Sequence, residues 1–435
     1  MADGRFHLGW FMNFMAPSSW RGNWGGDDGA KWADGSFYVD FIRSLERACF
    51  DYMMIEDSSM VPDAYGGSTE TELKHSLYAP KHDPVPLVPL LAQATERIGI
   101  VATMSTSFYP PFLLARSMST LDHLTHGRVG WNIVTSSEHR AAQNYGMDQL
   151  WEHDLRYERA DEFVELVEAL WGSWEPDALV MDRDTGRYVD HRKVHTVDFK
   201  GKYFSSRGPL NTLPSPQGRP VYCQAGGSPR GREFAARHAD TIITSAVGID
   251  AMVEYRDDIR MRMEKYGRDP DSCKVLFIVS PILGDTEDDA LRQVDRLREA
   301  SDWNAEAALA HLSALTENDF SQLDLDSPVP QLTTNGHRST LSDFLRQSGD
   351  GRTLREAAAN WNISAVDLVG TPDTVAERMG DAMAEVGGDG YLIFGGLSRQ
   401  YIGQITEGLV PALQRRGLVR TEYRHKLFRE NLLEF

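Results

Sequence analysis

Cysteine is scarce in this chain, and acidic residues outnumber basic ones. The 435 residues include three cysteines, Cys49, Cys223 and Cys273, which form no CxxC pair. This small, scattered set predicts no disulfide framework and favours a reducing compartment, the cytoplasm. The formal net charge of −19 argues against partners that require a basic surface, so we expect neither nucleic acid nor an anionic membrane to bind.

Long apolar runs and several informative motifs are missing as well. No stretch approaches the ~20 consecutive apolar residues of a membrane span, and the first residues lack the layout of a signal peptide. The absence of GxGxxG, GxxxxGK[ST] and GxSxG argues against a dinucleotide site, a P-loop and a serine-hydrolase elbow. His191 and His195 have a metal-compatible spacing but lie in a loop-like segment without a carboxylate partner, so we predict no metal site.

The chain does contain a repeated alternation of β-prone runs and helical patterns. The runs are nearly continuous in apolar residues, as expected for strands that are buried on both faces. Eight such runs predict an α/β fold, a single (β/α)8 TIM barrel. A doubly wound sheet is the main alternative, but it usually carries a glycine fingerprint in its first βα turn, which is absent here. The predicted strands are His7–Met12, Tyr52–Asp57, Ile98–Thr106, Val129–Ser136, Val221–Gly226, Thr241–Val247, Val275–Leu283 and Tyr391–Gly396.

Three segments are longer than the short loops of a barrel require. Residues 58–84 look loop-like, residues 175–218 are rich in Gly, Pro, Asp and Arg, and residues 308–364 look polar and irregular. Long loops in a compact fold are usually functional, and insertions at the carboxyl ends of barrel strands wall the active site. We therefore predict one domain over residues 1–435, with these segments inserted at the carboxyl-terminal face of the barrel.

The turn Gly226-Gly227-Ser228 has the composition of a phosphate-binding loop. It follows a short apolar run and precedes residues 233–238, which have helical composition. A strand, two glycines, a serine and a helix together point backbone N–H groups and a helix dipole at an anion. The alternative is a helix that Ser228 merely caps after a tight turn.

Small hydroxyl or acidic residues follow several of the predicted strands. Asp57 ends the second, residues 105–107 (Ser-Thr-Ser) the third and residues 135–137 (Thr-Ser-Ser) the fourth. In a barrel they all face the mouth that holds the glycine turn, where they can bind a ligand, although any one of them can instead cap a helix. Tyr157 shares a helix face with His153, four residues earlier, and its hydroxyl can reach a phosphate.

The segment after the first strand is dense in aromatic residues. It lies near the predicted mouth of the barrel and contains a single base, Arg21. This composition fits an apolar or aromatic substrate better than a polycarboxylate, although packing against the barrel explains part of it equally well. The side chains that we predict to line a substrate pocket are Trp10, Phe11, Phe14 and Trp20.

Several motifs, spread in order over nearly the whole chain, together resemble one family. They are residues 117–128 (SMSTLDHLTHGR), 130–136 (GWNIVTS), 152–157 (EHDLRY), 224–234 (QAGGSPRGREF) and 369–372 (VGTP). The chain resembles the flavin-dependent, bacterial-luciferase-like monooxygenases of the nitrilotriacetate monooxygenase component A branch. That branch includes the long-chain alkane and dibenzothiophene sulfone monooxygenases.

The resemblance implies roles for individual residues. His311 matches an active-site histidine and is expected to act as a proton donor or an orienting hydrogen-bond donor. Ser137 stands where the alkane enzyme has a histidine, and Phe14 and Pro17 stand where it has a cysteine and a histidine. Together with Gly226 of the glycine turn and Ser137, the residues expected to bind FMN are Asp57, Thr103, Ser136, Tyr157, Gly227 and Ser228.

The resemblance also implies a reaction. We expect a two-component monooxygenase that takes reduced FMN (FMNH2) from a separate NAD(P)H:flavin reductase and uses O2 to oxygenate a small molecule. The substrate is expected to be heteroaromatic, organosulfur or haloaromatic, and the protein to be a homo-oligomer, a dimer or tetramer. Two alternatives are a deazaflavin-dependent oxidoreductase on the same barrel and a non-catalytic flavin-binding protein.

Overall fold

Eight parallel strands close into a barrel in the computed structural model of this chain, which describes residues 4–17, 20, 26–299, 301–349 and 351–435. Each strand pairs with the next along the chain, and the last pairs with the first, where Gly390 lies opposite His7. The predicted (β/α)8 barrel is confirmed. The strands are β1 (His7–Asn13), β2 (Tyr52–Glu56), β3 (Gly99–Ser105), β4 (Val129–Val134), β5 (Val221–Gln224), β6 (Thr241–Thr244), β7 (Lys274–Val279) and β8 (Gly390–Ile393).

Helices surround the barrel and fill the long connections. Among the described residues, none of them is long and apolar enough to cross a membrane. The larger helices are Ser36–Arg47, Pro84–Gln93, Pro111–Leu124, His153–Trp171, Pro229–His238, Ile249–Lys265, Glu287–Glu299, Ser301–Thr316, Arg338–Ser348 and Pro372–Val386. The shorter ones are Asp28–Lys31, Glu70–His75, His139–Asn144, Leu354–Asn360, Arg399–Gly403, Gln404–Leu409 (a π-helical turn), Val410–Arg415 and Phe428–Leu432.

The helix Pro372–Val386 shows how local sequence sets these elements. Thr371 caps its N-terminus by accepting a hydrogen bond from Thr374 N, and Pro372 occupies the first turn, where no backbone donor is needed. Gly387 ends the helix at φ 63°, a left-handed conformation that favours glycine. The helix buries Val375, Ala376, Met379, Ala382, Met383 and Val386, which repeat at helical spacing and face the barrel.

Two of the sequence-based expectations about segments differ from the structure. The run Val275–Leu283 is not one strand, because Pro281 interrupts it and Ile282–Leu283 pairs instead with Val369–Gly370 in a separate sheet. Residues 308–364 are largely helical rather than irregular. This segment has an apolar cluster of its own, which includes Leu309, Phe320, Phe344 and Leu354.

A buried charge network joins β1, β2 and the C-terminal segment. Asp51, the residue before β2, accepts hydrogen bonds from His7 Nδ1 and Leu8 N, each at 2.9 Å. Arg420 donates to the same carboxylate at 2.8 Å. Burial raises the pKa of Asp51, but Arg420 and His7 outweigh that effect and bring it below its ordinary value. The network therefore holds a fully charged pair at the base of the barrel.

The amino-terminal end of the barrel is plugged by the C-terminal helix Phe428–Leu432. The Phe428 side chain is fully buried and packs beside Gly99, the first residue of β3, and Gly130, the second residue of β4. A Cβ on Gly99 would lie 2.6 Å from the Phe428 ring, and one on Gly130 would lie 3.2 Å from it. The two glycines therefore make room for the ring, which fills this end of the barrel among the described residues.

We expect Phe428→Ala to lower the free energy of unfolding by about 3–5 kcal/mol, because a fully buried ring is lost and a cavity is left at the base of the barrel. Urea unfolding followed by circular dichroism measures the change. Leu433→Ala, at a side chain that is 40% exposed, is the matched control and should change stability little. Equal effects of the two substitutions would contradict the role of Phe428 as a plug.

Candidate active site

A cavity of about 1310 Å³ opens at the carboxyl ends of the barrel strands. Its floor is apolar and is formed by side chains from several strands, among them Phe11, Met54, Ile243 and Ile278. Its upper wall comes from residues 308–364. The cavity is larger than the ~300–1,000 Å³ of typical small-molecule sites, so it has room for a cofactor and a second molecule.

The glycine turn forms one end of the cavity. Ser228 caps the helix Pro229–His238 and accepts a hydrogen bond from Gly231 N at 3.0 Å, while Gly227 and Ser228 both line the cavity. The glycines are needed for close approach. A Cβ on Gly226 would lie 2.5 Å from the Gly231 carbonyl, and one on Gly227 would lie 2.6 Å from Ser339 Cβ. Ser228 therefore caps the helix, and because the turn also borders the cavity, phosphate binding there stays a prediction.

A second helix begins at the same end of the cavity. The helix Arg338–Ser348 has no side-chain cap, and Arg338, Ser339 and Thr340 of its first turn line the cavity. Arg338 donates to Glu152 at 2.8 Å, which ties the helix to the start of His153–Trp171. Two helix N-termini, each with unpaired N–H groups and a positive dipole end, thus converge on one region, an arrangement that suits an anion.

A hydrogen-bond chain fixes one polar group at the floor of the cavity. The Thr103 hydroxyl donates to Ile55 O and accepts from Asn132 Nδ2, both at 2.8 Å. Because the only hydroxyl proton is used on Ile55, the Asn132 atom that faces Thr103 has to be the amide nitrogen. Asn132 Oδ1 is then left buried without a partner on the cavity side. It presents a hydrogen-bond acceptor to a ligand N–H group.

The hydroxyls after β3 and β4 lie together at the cavity wall. Ser136 adopts φ 59°, an uncommon conformation for a residue with a side chain, and its Oγ lies 2.7 Å from Ser105 Oγ. The Ser137 hydroxyl donates to the carboxylate of Glu138, which is buried at the same wall. The left-handed turn directs both serine side chains toward the cavity.

A second polar cluster occupies the wall formed after β2. The Glu56 carboxylate accepts a hydrogen bond from Lys81 Nζ at 2.5 Å, and Lys81 also donates to Ser58 at 3.0 Å. Burial, with a contribution from the neighbouring charge of Glu56, raises the pKa of Asp57 to about 7. Asp57 therefore carries a proton for part of the time near neutral pH and can donate a hydrogen bond.

Sequence comparison relates this barrel to known enzymes. The family described as luciferase-like monooxygenase matches residues 14–390. The chain is 35% identical over 403 residues to the long-chain alkane monooxygenase of Geobacillus thermodenitrificans (strain NG80-2), which covers 92% of this chain and 88% of that one. It is 34% identical over 416 residues to nitrilotriacetate monooxygenase component A of Aminobacter aminovorans, with 92% and 90% covered. The chain belongs to the luciferase-like monooxygenase family.

Structure comparison agrees with this assignment. A crystal structure of a long-chain alkane monooxygenase superimposes with a TM-score of 0.87 at 33% identity, over 98% of this chain and 95% of that one. A crystal structure of a riboflavin lyase with modified FMN and its substrate riboflavin gives a TM-score of 0.89 at 32% identity, over 99% and 96%. The resemblance inferred from the motifs is confirmed, and this luciferase-like protein is a flavin-dependent monooxygenase.

The cavity of this luciferase-like barrel fits the reduced flavin that its family uses. The orphaned acceptor Asn132 Oδ1 at the floor matches the N–H groups of a flavin ring. The paired helix N-termini at Gly227 and Ser339 match a phosphate. Of the residues predicted to bind FMN, those that line the cavity are Asp57, Thr103, Ser136, Ser137, Gly227 and Ser228.

The two other predicted flavin-binding residues lie behind the cavity wall. Gly226 lies in the turn but does not line the cavity, and its carbonyl accepts a hydrogen bond from the Tyr255 hydroxyl at 2.7 Å. Tyr157 is buried, with its ring 5.2 Å from that of His153, and burial raises its pKa. His153 is the residue that reaches the turn, since its Nε2 lies 3.3 Å from Ser228 Oγ. Tyr157 therefore supports His153 and the helix start in this structure.

The aromatic side chains predicted to line the substrate pocket do not all do so. Phe11 lines the cavity, but Trp10 points the opposite way, because neighbouring strand residues alternate. Trp10 is fully buried against Phe41, with ring centroids 4.9 Å apart. Phe14 packs on Trp32 and Tyr38 outside the cavity, and Trp20 is 45% exposed at the surface. The prediction for Trp10, Phe14 and Trp20 is therefore wrong, and Arg21 lies outside the described residues.

His311 lies in the cavity, as the family match implied, but its pKa is far below that of a free imidazole. Its ring packs between Tyr78 and Trp361, with centroids 5.1 and 5.9 Å away. Burial, with smaller contributions from Lys81 and His337, lowers the pKa of His311 to about 4. The low pKa disfavours the expected role of proton donor at neutral pH and leaves that of an orienting hydrogen-bond donor. At neutral pH it is uncharged and can donate or accept one hydrogen bond at each nitrogen.

Several residues that line the cavity were not predicted from the sequence. They are Asn132, Glu138, His337, Arg338 and Ser339. Asn132 had a detectable signal, because it is the one amide in the apolar run of β4. The others had none, since they are ordinary polar residues in a long connection or after a strand. Among the described residues, no cluster could hold a metal ion.

The free energy of unfolding is expected to depend on pH through His311 and Asp57 with opposite signs. The folded pKa of His311 is about 4 against an ordinary 6.5, so its contribution is present above pH 6.5 and lost as the pH falls toward 4. The stability of the wild type relative to His311→Gln should thus rise by about 1.4 kcal/mol per pH unit over that window.

For Asp57→Asn, the stability difference from the wild type is expected to depend on pH with the opposite sign. The folded pKa of Asp57 is about 7 against an ordinary 3.8, so the stability of the wild type relative to this variant should fall as the pH rises from 3.8 to 7. Urea midpoints at several pH values measure both differences. Stability curves of the variants that run parallel to the wild type would contradict the burial of these groups.

Proposed function

We propose that this protein is the oxygenase of a two-component system that takes reduced FMN from a separate NAD(P)H:flavin reductase and uses O2 to oxygenate a small apolar or aromatic compound. The observation that carries the proposal is a single cavity with an anion-binding turn at one end and an apolar floor at the other. When bound, reduced FMN supplies the electrons for oxygen activation. The residues of the chain bind, orient and enclose it.

The proposed flavin contacts follow from the chemistry of the residues present. Gly227, Ser228 and Ser339 would hold the phosphate with backbone N–H groups and hydroxyls. Asn132 Oδ1 would accept from a ring N–H, and Asp57, when protonated, would donate to a ring acceptor. Because these donors and acceptors are already fixed in place, they can orient the ring without a cost in reorganisation free energy when the reaction occurs.

The substrate end is proposed to accept neutral, apolar molecules. Trp361, Ile363 and Phe394 line this part of the cavity together with the uncharged His311. The guanidinium of the nearby Arg346 forms an ion pair with Asp343 at 3.0 Å, so its charge is already balanced and does not favour a substrate carboxylate. A heteroaromatic, organosulfur or haloaromatic compound suits these walls, and residues 308–364 exclude water from them.

A separate reductase is proposed for two reasons. The chain contains no GxGxxG fingerprint for a nicotinamide dinucleotide, and one relative is named as component A of its monooxygenase. A homo-oligomer, dimer or tetramer, stays a prediction. The cytoplasm stays the proposed location, and it agrees with the three unpaired cysteines.

Purified protein with FMN should not oxidise NADH, whereas adding a general flavin reductase should lead to oxygen consumption and an oxygenated product. An oxygen electrode and mass spectrometry of a panel of heteroaromatic, organosulfur and haloaromatic compounds, with riboflavin included, measure this. Rapid NADH oxidation by the isolated chain would contradict the two-component assignment. Substrate oxidation without oxygen consumption would support a deazaflavin-dependent enzyme instead, and flavin binding without any product would support a binding protein.

Ser228→Asp and Ser228→Ala should separate the two roles of Ser228. Aspartate keeps the N-cap but places a like charge beside the phosphate, so FMN should bind far more weakly while stability stays near that of the wild type. Alanine loses the cap, which costs about 0.5–2 kcal/mol of stability, and one phosphate contact, which costs about 1–3 kcal/mol of binding. Fluorescence titration with FMN measures affinity. Wild-type affinity in Ser228→Asp would show that the phosphate lies elsewhere.

A further inference from the structure

A buried carboxylate lies beside the predicted flavin contact Ser137. Glu138 is 6% exposed, and its carboxylate accepts hydrogen bonds from the Ser137 hydroxyl and, at 3.1 Å, from the Ser137 N–H. Both residues line the cavity. A carboxylate at this depth is costly to bury unless it is hydrogen-bonded or takes part in the chemistry of the site.

An imidazole from residues 308–364 reaches the same carboxylate. His337 Nε2 lies 3.9 Å from Glu138 Oε1, and the His337 side chain is 42% exposed, whereas that of Glu138 is 8% exposed. A bridging water, or a small rotation of the imidazole ring, can close the gap between His337 Nε2 and Glu138 Oε1. His337 lines the cavity, and the exposed part of its side chain is accessible to water.

The position of His337 is fixed by hydrogen bonds on both sides of it. His337 N donates to Leu315 O at 3.0 Å. Asn335 Oδ1 accepts from His153 N at 2.9 Å, and Asn335 Nδ2 donates to Trp151 O at 3.1 Å. Gly336 allows the close approach, since a Cβ there would lie 3.2 Å from Ser137 O and 2.6 Å from Leu315 O. These contacts place the imidazole beside Glu138.

We propose that Ser137, Glu138 and His337 form a proton relay between solvent and the cavity. In it, protonated His337 passes a proton to Glu138, and protonated Glu138 donates to Ser137 Oγ, whose own proton goes to the cavity. The proposal rests on the proposed function and deepens it. Glu138 and His337 are relay residues that act through Ser137, and His311, uncharged and without such a contact to solvent, has a different role.

The reaction requires such a proton. One substrate molecule, one O2, the anion of reduced FMN and one proton give the hydroxylated substrate, oxidised FMN and water. The anion carries two electrons and one hydrogen, so both electrons come from the flavin and the remaining proton of the water has to enter from outside. Once bound flavin and substrate displace water from the cavity, the reaction needs a route for this proton.

The charges around His337 suit a group that both gains and loses protons. Burial and the guanidinium of Arg156 lower its pKa, while the carboxylates of Glu138 and Glu56 raise it, and the net direction is downward. Arg338, the next residue, is occupied by Glu152 and Asp154. The neighbouring imidazole of His311 is uncharged at neutral pH. Removing the Glu138 charge should therefore lower the pKa of His337 further.

The chain offers a matched control pair outside the cavity. His425 Nδ1 lies 3.9 Å from Glu430 Oε2, and the His425 side chain is 43% exposed. The separation equals that of the His337–Glu138 pair and the imidazoles are similarly exposed, but Glu430 is 50% exposed, whereas Glu138 is 8% exposed. Changes at His425 should leave flavin chemistry unaffected, so they separate a local effect in the cavity from a general effect of losing a histidine.

The first experiment needs no flavin. Histidine NMR titration of the flavin-free protein should show that Glu138→Gln lowers the pKa of His337 by about half a unit or more, as loss of an opposite charge within ~4 Å does. Glu430→Gln is the control and should leave His337 unchanged. No shift of His337 in Glu138→Gln would overturn the coupling on which the relay depends.

The second experiment measures proton delivery directly. Reduced FMN bound to the protein is mixed with O2, and the return of oxidised flavin absorbance is followed against pH in normal and heavy water. His337→Ala should slow this return by about 10²-fold and enlarge the solvent isotope effect, and added imidazole should restore the rate through the exposed gap. His425→Ala should behave as the wild type. A full rate in His337→Ala, or loss without imidazole rescue, would overturn the relay.

The two experiments keep this proposal apart from the proposed function. If the wild type forms no oxygenated product with any compound, the proposed function fails, and the relay fails as a route for that reaction. The flavin-free titration still decides whether Glu138 and His337 are coupled. If product forms normally in both Glu138→Gln and His337→Ala, only the relay is overturned.

Discussion

The closure of the barrel is the constraint on which the rest of the structure depends. β1 pairs with β2 on one side and with β8 on the other, and the buried pair Asp51–Arg420, together with His7, secures that joint at the base. Because all strands are parallel, closure brings all their carboxyl ends to one face. Phe428 fills the opposite end, and the large cavity lies at the carboxyl-terminal face.

The long connection between β7 and β8 turns this open face into an enclosed site. It has an apolar cluster of its own, which includes Phe344, and it is fastened to the helix His153–Trp171 through Asn335 and Arg338. The same segment supplies a helix N-terminus beside Gly227 and an imidazole beside Glu138. One element therefore borders both the end of the cavity proposed for the phosphate and the end proposed for the substrate.

Charge is distributed in the cavity according to exposure. His311 packs between two aromatic rings and loses its charge, whereas His337 is more exposed and faces a carboxylate. Asp57 is buried beside Glu56, which keeps it partly protonated near neutral pH. The three groups are of types that usually ionise, yet each meets a different balance of desolvation and neighbouring charge. This balance, rather than residue type, decides which of them can carry a proton.

The sequence by itself determined the barrel, the glycine turn and the family, because these depend on short-range patterns: apolar runs, Gly-Gly-Ser before a helix, and motifs with fixed spacing. It could not decide which of two adjacent aromatic side chains points into the cavity. For Trp10 and Phe11 this depends on the register of β1 in the barrel. It could not place Glu138 beside His337, since the two residues are 199 positions apart in the chain. Only the tertiary structure, by closing the barrel and folding residues 308–364 across it, brings such distant groups within reach and sets their charge.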